Sequence, residues 1–377
     1  MTCVARVGRI ARVTAVGIVV AIGLAACAEL PAPAPSAPAG VARPEPGAPA
    51  TSARADPFAA LPPLAIQDRL LALDPDHLSD ADVRDVLAKG PAPRIILLHG
   101  GVYPVYLLMK SFGLFLTHMG YPEAAIRDPG DRDWSYSPYE DSAEIAGIVA
   151  WEYERSGLRP MLIGHSQGGM QVVRVLQDLA GDFGRPLSAF DPISGSYESS
   201  TTIVDPYTGR PRPVVGVSAS YASAVAAGGA AFLLPNQWSM IDRLQDIPDT
   251  VDDFTGFSLG VDLIAWDFPG EGERYRATGT AHVRNVTLPD SYSHIFVPLT
   301  ASLPRDPAVR AWINAWTPAK HEDISKLPEE AQRHVLWAAD VWYSIKRHWC
   351  LEVQHLVREA QARSKENPPE AAVPRAG

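Results

Sequence analysis

Residues 159–173 read RPMLIGHSQGGMQVV, and the fold class turns on how this stretch is parsed. Met161, Leu162 and Ile163 make a short apolar run of the kind that forms a strand buried on both faces. Met170 to Leu179 carries a helical pattern. Between them sits the pentad Gly164-His165-Ser166-Gln167-Gly168. A nucleophilic serine needs a sharp strand-to-helix turn, flanking glycines that relieve crowding, and a helix N-terminus that favours developing negative charge. Ser166 has all three, and Gly169 lets the helix pack close. A second pentad, Gly256-Phe257-Ser258-Leu259-Gly260, is followed by VDLIAWDFPGEGE, whose proline and glycines forbid a long helix. Ser258 therefore reads as the end of a strand, and Ser166 is the candidate nucleophile.

Working outward, Arg94 to Leu98 is a continuous apolar run that ends in His99-Gly100-Gly101. Residues 102–120 predict a helix, Ala124 to Arg127 a short strand, and the polar segment after them a loop. Ser142 to Arg155 reads as an amphipathic helix closed by Gly157. Strands alternating with helices imply an α/β fold with a doubly wound, mostly parallel sheet and helices on both faces. From about 187 to 250 the rhythm breaks. A hairpin turning at Tyr207–Gly209 and a sheet strand within PVVGVSASYA precede an irregular, glycine-rich apolar segment. This region is expected to be an insertion over the site, a cap or lid; a core helix with connecting loops fits it equally. Phe254–Ser258 and Val283–Leu288 suit two more strands. A long helix spans roughly Pro328 to Arg363, with Val335, Ala338, Trp342, Ile345, Trp349, Val353 and Leu356 in one stripe that suits packing on its own domain.

IILLHGG at 95–101 and LIGHSQGG at 162–169, followed by an acid and a late histidine, resemble the lipase and esterase branch of the α/β-hydrolase superfamily. The likeness spans roughly Pro93 to Pro298. It implies an α/β-hydrolase fold and the chain order Ser…Asp/Glu…His. The histidine should follow the last strand, which selects His294 in NVTLPDSYSHIFVP; the rival His282 starts that strand, on the wrong edge. The acid should follow the preceding strand. Asp262 comes directly after DFTGFSLG and precedes Leu-Ile-Ala-Trp, like the family's acid-then-hydrophobes segment. Asp267 stays open as the alternative if LIAWDF is the strand, with Glu271 and Asp252 further off. The resemblance places the oxyanion-hole N–H groups on Gln167 and on Gly101 or Val102. His99 and His165 flank these loops and read as structural.

The implied activity is cleavage of carboxylic esters through a Ser-His-Asp triad and an acyl-enzyme, with an ester or lipid-like small molecule as substrate. An acyltransferase on the same triad, or a non-catalytic envelope binding lipoprotein on the same scaffold, are the other readings. No metal or cofactor is expected, because HExxH, paired CxxC, calcium-loop and GxGxxG patterns are missing from the sequence. With 33 Lys+Arg against 43 Asp+Glu and no long basic run, no nucleic-acid partner is expected either.

Residues 1–26 read as an export signal, with Arg6, Arg9 and Arg12 ahead of an apolar, small-residue core. A short uncleaved anchor helix is the competing reading. Leu24-Ala25-Ala26-Cys27 resembles the lipobox of bacterial lipoproteins, which implies cleavage before Cys27, lipidation of its thiol, and attachment to the cell envelope. Loss of three arginines would take the formal charge from −10 to −13. Cys350 would then be the only thiol left, which suits a small buried hydrophobe and leaves no intrachain disulfide. Residues 27–63 read as a tether, since 31–63 contain ten prolines and few large apolar side chains. The folded part is expected at 64–363, and 364–377 as an unstructured tail.

Overall fold

Leu97, Ile163, Ser223, Thr255 and Arg284 lie side by side across five parallel strands. These strands are β1 (Ile95–Leu98), β2 (Met161–His165), β3 (Ala219–Val225), β4 (Val251–Leu259) and β5 (His282–Leu288), and their order in the sheet follows the chain. In this computed structural model the described residues are 56–366, except 102, 229–234, 261, 263, 265–274 and 321–322. They fall within one compact unit, Arg54–Gly377.

Alternation along the strands divides the core in two. Ile95, Leu97, Met161, Ile163, Tyr221, Val225, Phe257 and Leu259 face one side. Ile96, Leu98, Leu162, Ala222, Ala224 and Phe254 face the other. Helices cover these faces: α1 (Leu64–Leu71), α2 (Asp80–Asp85), α3 (Tyr103–Met119), α4 (Ser142–Ser156), α5 (Gln167–Ala180), α6 (Pro307–Ala315) and α7 (Val335–Glu366), with the single turn Glu329–Gln332 just ahead of α7. α4 and α5 pack on the second face, and the others contribute to the first. Such coverage matches β1 and β2, which are buried along their whole length, whereas the edge strand β5 carries His282, Arg284, Asn285 and Thr287 and is largely exposed or half-buried.

The chain passes from the first face to the second between α3 and α4, around the outer edge of β1. There Tyr136 makes one parallel bridge to Leu98, donating to the Leu97 carbonyl at 2.8 Å and accepting from the His99 N–H at 3.2 Å. The short strand expected at Ala124–Arg127 does not form. Glu123–Ala125 is a 3-10 turn after Pro122, and the Ala124 and Arg127 carbonyls accept from the Arg94 guanidinium instead of from a strand.

α7 is the dominant helix of the first face. All seven residues of its expected stripe are fully buried, as is Cys350. It runs three residues past the expected end, to Glu366, and residues 57–63 form a capped turn and the approach to α1 instead of open tether. The expected insertion at 187–250 is not one block, because β3 runs through it as the middle strand of the sheet. Before β3 come two short antiparallel pairs, Phe190–Asp191 with Ser196–Tyr197 and Thr202–Val204 with Pro211–Pro213. The second turns across Asp205–Gly209, as expected, with Gly209 donating to the Asp205 carbonyl. After β3, residues 241–250 run along α5, where Gln177 Nε2 donates to the Arg243 carbonyl at 2.7 Å. That segment is packed on the core, with Leu244 and Ile247 buried, and residues 229–234 of the expected cap lie outside the described residues.

Candidate active site

In a parallel sheet the carboxyl ends of all strands lie on one edge, so loops from distant parts of the chain converge there. The turn after β2 carries Ser166, the segment after β4 carries Asp262, the loop after β5 carries His294, and the loop after β1 carries Gly100 and Gly101.

Ser166 occupies the bend between β2 and α5 at φ 55° and ψ −125°. Such a conformation is strained for a residue with a side chain, by about 1–3 kcal/mol. The surroundings over-determine it. Its N–H donates to the Val225 carbonyl at 2.8 Å, and its carbonyl accepts from Gly169 at 2.9 Å, which starts α5. The glycines of the pentad admit this close approach. A Cβ on Gly168 would stand 2.3 Å from the Leu98 carbonyl oxygen, and one on Gly164 would stand 2.3 Å from that of Gly168. Gly169 lies against Ala227 and Ala224 of the β3 side.

His294 Nε2 lies 2.9 Å from Ser166 Oγ, and His294 Nδ1 lies 2.6 Å from Asp262 Oδ2. A carboxylate only accepts, so the proton sits on Nδ1 and leaves Nε2 free to accept from the hydroxyl. Asp262 is 3% exposed, and its other oxygen accepts from the Ile264 N–H at 2.9 Å. A buried carboxylate held from both sides orients the imidazole.

Beside this row, Gly100 and Gly101 lie tight against the elbow. A Cβ on Gly100 would be 3.1 Å from that of Ser166, and one on Gly101 would be 2.2 Å from the Gln167 side-chain oxygen. The Tyr139 hydroxyl donates to the Gly101 carbonyl at 2.9 Å. Gln167 is the first residue of α5, where the backbone N–H has no acceptor within its own helix.

Of the sequence-derived candidates, Ser166, His294 and Asp262 are thus in one hydrogen-bonded row, with Gln167 and Gly101 beside it. Val102, Asp267, Glu271 and Cys27 lie outside the described residues. His282 is at the opposite edge, exposed and paired with Asp253 at 2.9 Å. Asp252 is bound to Arg159. Ser258 lies inside β4 with its hydroxyl 3.3 Å from that of Thr287. The glycines of the second pentad serve packing, because the Tyr275 ring covers Gly256 and the Asp290 carboxylate lies against Gly260. The sequence reading gave no role to Tyr139, whose contact spans 38 residues and follows no local motif. Among the described residues, no group of three or more His, Cys, Asp or Glu is placed to hold a metal ion.

No family model and no curated protein matches this chain. Among solved structures, one described as RedJ with PEG molecule bound in the active site is similar over 58% of this chain and 90% of its own, at 15% identity and a TM-score of 0.26.

Proposed function

We propose that this chain is a serine hydrolase of the α/β-hydrolase kind that cleaves carboxylic esters through an acyl-enzyme. The observation that carries the reading is the Ser166–His294–Asp262 row, drawn from three separate loops onto one edge of a parallel sheet. The chain order Ser, Asp, His and the strained serine bend accord with it.

In this reading Ser166 Oγ attacks the acyl carbon while His294 Nε2 takes the hydroxyl proton. The negative charge that develops on the carbonyl oxygen is met by the Gln167 N–H and by N–H groups of the loop at Gly101. The protonated imidazole, held by Asp262, returns the proton to the departing alkoxide, and the acyl group stays on Ser166. Water, deprotonated by His294, then attacks the acyl carbon and releases the acid and the free serine.

The test is turnover of a p-nitrophenyl ester series by the full chain. Ser166→Ala and His294→Ala should each lose about 10⁵–10⁶-fold in kcat, and Asp262→Asn about 10⁴-fold. Asp267→Asn should stay near wild type. Wild-type rates in the Ser166 or His294 variant would refute the reading; a larger loss at Asp267 than at Asp262 would move the acid.

The export signal, Cys27 lipidation and tether form a second part of the proposal, in which the enzyme works while fastened to the cell envelope. The sequence pattern at Leu24–Cys27 and the proline-rich stretch behind it support that part.

A further inference from the structure

His165 precedes the candidate nucleophile and is fully buried. Its Nε2 lies 2.6 Å from the backbone carbonyl oxygen of His294, 129 residues further along the chain. A carbonyl only accepts, so this nitrogen carries the proton and donates. The ring is neutral, since burial pushes its pKa down to about 3. Its other nitrogen, Nδ1, is then a bare acceptor. It is buried and has no hydrogen-bond partner among the described residues, and it faces Gly100, where a Cβ would stand 3.6 Å away. Burying an unpaired acceptor is unfavourable, so an apolar side chain would fill this space at lower cost. What the imidazole adds is the bond from Nε2.

That bond reaches one point of the β5 loop. The residues around it are tied to each other and to α7: Phe296 and Val297 donate to the Ser293 carbonyl, and the Tyr292 hydroxyl accepts from the Leu336 N–H. The main chain of His294 itself is tied to β2, through His165. The two rings lie 5.4 Å apart between centroids.

We infer that His165 is a positioning residue for His294: it holds the main chain of the proton acceptor against the strand that presents Ser166, so the distance between acceptor and nucleophile is fixed from the elbow itself. This rests on the hydrolase reading. A displacement of about 1 Å at a reacting group lowers rate by about 100-fold without a matching change in substrate binding.

The test compares wild type, His165→Met and His165→Gln, full chain, with a p-nitrophenyl ester. Methionine fills the volume without a donor, whereas the glutamine amide restores an N–H near the Nε2 position. The expected result is a loss of about 10–100-fold in kcat for His165→Met with KM unchanged, and recovery to within about three-fold in His165→Gln. Wild-type kcat in His165→Met, or equal losses in both variants with melting temperatures unchanged, would overturn the positioning role alone. No turnover by the wild type would overturn the hydrolase reading, and this inference with it. Nitrogen-15 spectra of the wild-type ring give a readout that needs no variant to fold. They should show a neutral ring protonated on Nε2 at pH 7, and a proton on Nδ1 instead would overturn the inference.

Discussion

Glu140, beside α5, carries a carboxyl whose chemistry departs far from the ordinary. Its backbone carbonyl accepts from Gln171 Nε2 of α5 at 2.7 Å, and its side chain accepts from the Ser137 N–H at 2.9 Å. Burial, reinforced by the nearby acids Glu144, Asp131 and Asp128, outweighs the Ser137 bond and pushes its pKa up to about 7 from the usual 4.5. The folded chain therefore keeps a proton that the unfolded chain has released, and stability falls as pH rises from about 4.5 to 7. Glu140→Gln removes the titration. Its melting temperature relative to wild type should climb across that window, and a constant difference would show that the carboxyl is not buried as described. At this scale much of the site was legible from sequence. The meeting of Ser166 and His294 follows from local motif and strand order, because segments after the carboxyl ends of parallel strands converge on one edge of the sheet. The partners of Tyr139, and of His165 through a carbonyl, were not legible. A hydrogen bond to a backbone oxygen across 38 or 129 residues leaves no trace in side-chain pattern.

Helix α7 shows what periodicity can and cannot give at the scale of one element. Its apolar stripe announces burial, and Trp337, Trp342 and Trp349 are fully enclosed on the first face. Truncation of such a side chain leaves a cavity, so Trp342→Ala should destabilise by about 3–5 kcal/mol. The same helix buries charge that the stripe does not reveal. Asp340, 2% exposed, is bridged by both guanidinium ends of Arg284 from β5. Removing the arginine strands a buried carboxylate, and Arg284→Ala should cost about 3–5 kcal/mol. Urea unfolding measures both, and changes below about 1 kcal/mol would contradict the packing. The failed strand at Ala124–Arg127 has the opposite lesson. Its composition allows a strand, but a guanidinium from another element claims its carbonyls, and tertiary contacts override weak local preference.

On the scale of the whole molecule, the two ends of the described chain meet. The Arg363 guanidinium lies over the Phe58 ring at 4.4 Å, and Phe58 neighbours Tyr207, whose hydroxyl donates to the Gly157 carbonyl at 2.5 Å. Gly157 lies just ahead of β2, so Phe58 sits toward the amino edge of the sheet, across from the edge that carries Ser166. The second part of the proposal places a lipid on Cys27. Cys27→Ser should then shift the protein from the detergent-soluble to the aqueous fraction while leaving ester turnover intact. Retention in the detergent fraction would refute lipidation at that residue. The centre of the sheet was legible because β1 and β2 are continuous apolar runs, buried throughout. The extent of the insertion was not, since β3 is a run of small residues, ASYASAV, whose burial comes from its neighbours more than from its own hydrophobicity.

The account rests on the Ser166 hydroxyl being activated by His294, and covalent capture by a fluorophosphonate tests that most directly. The reagent should add one phosphonyl group to wild type, on the peptide that contains Ser166, and none to folded Ser166→Ala. A wild-type chain that stays unmodified, or a label that persists in Ser166→Ala, would contradict it.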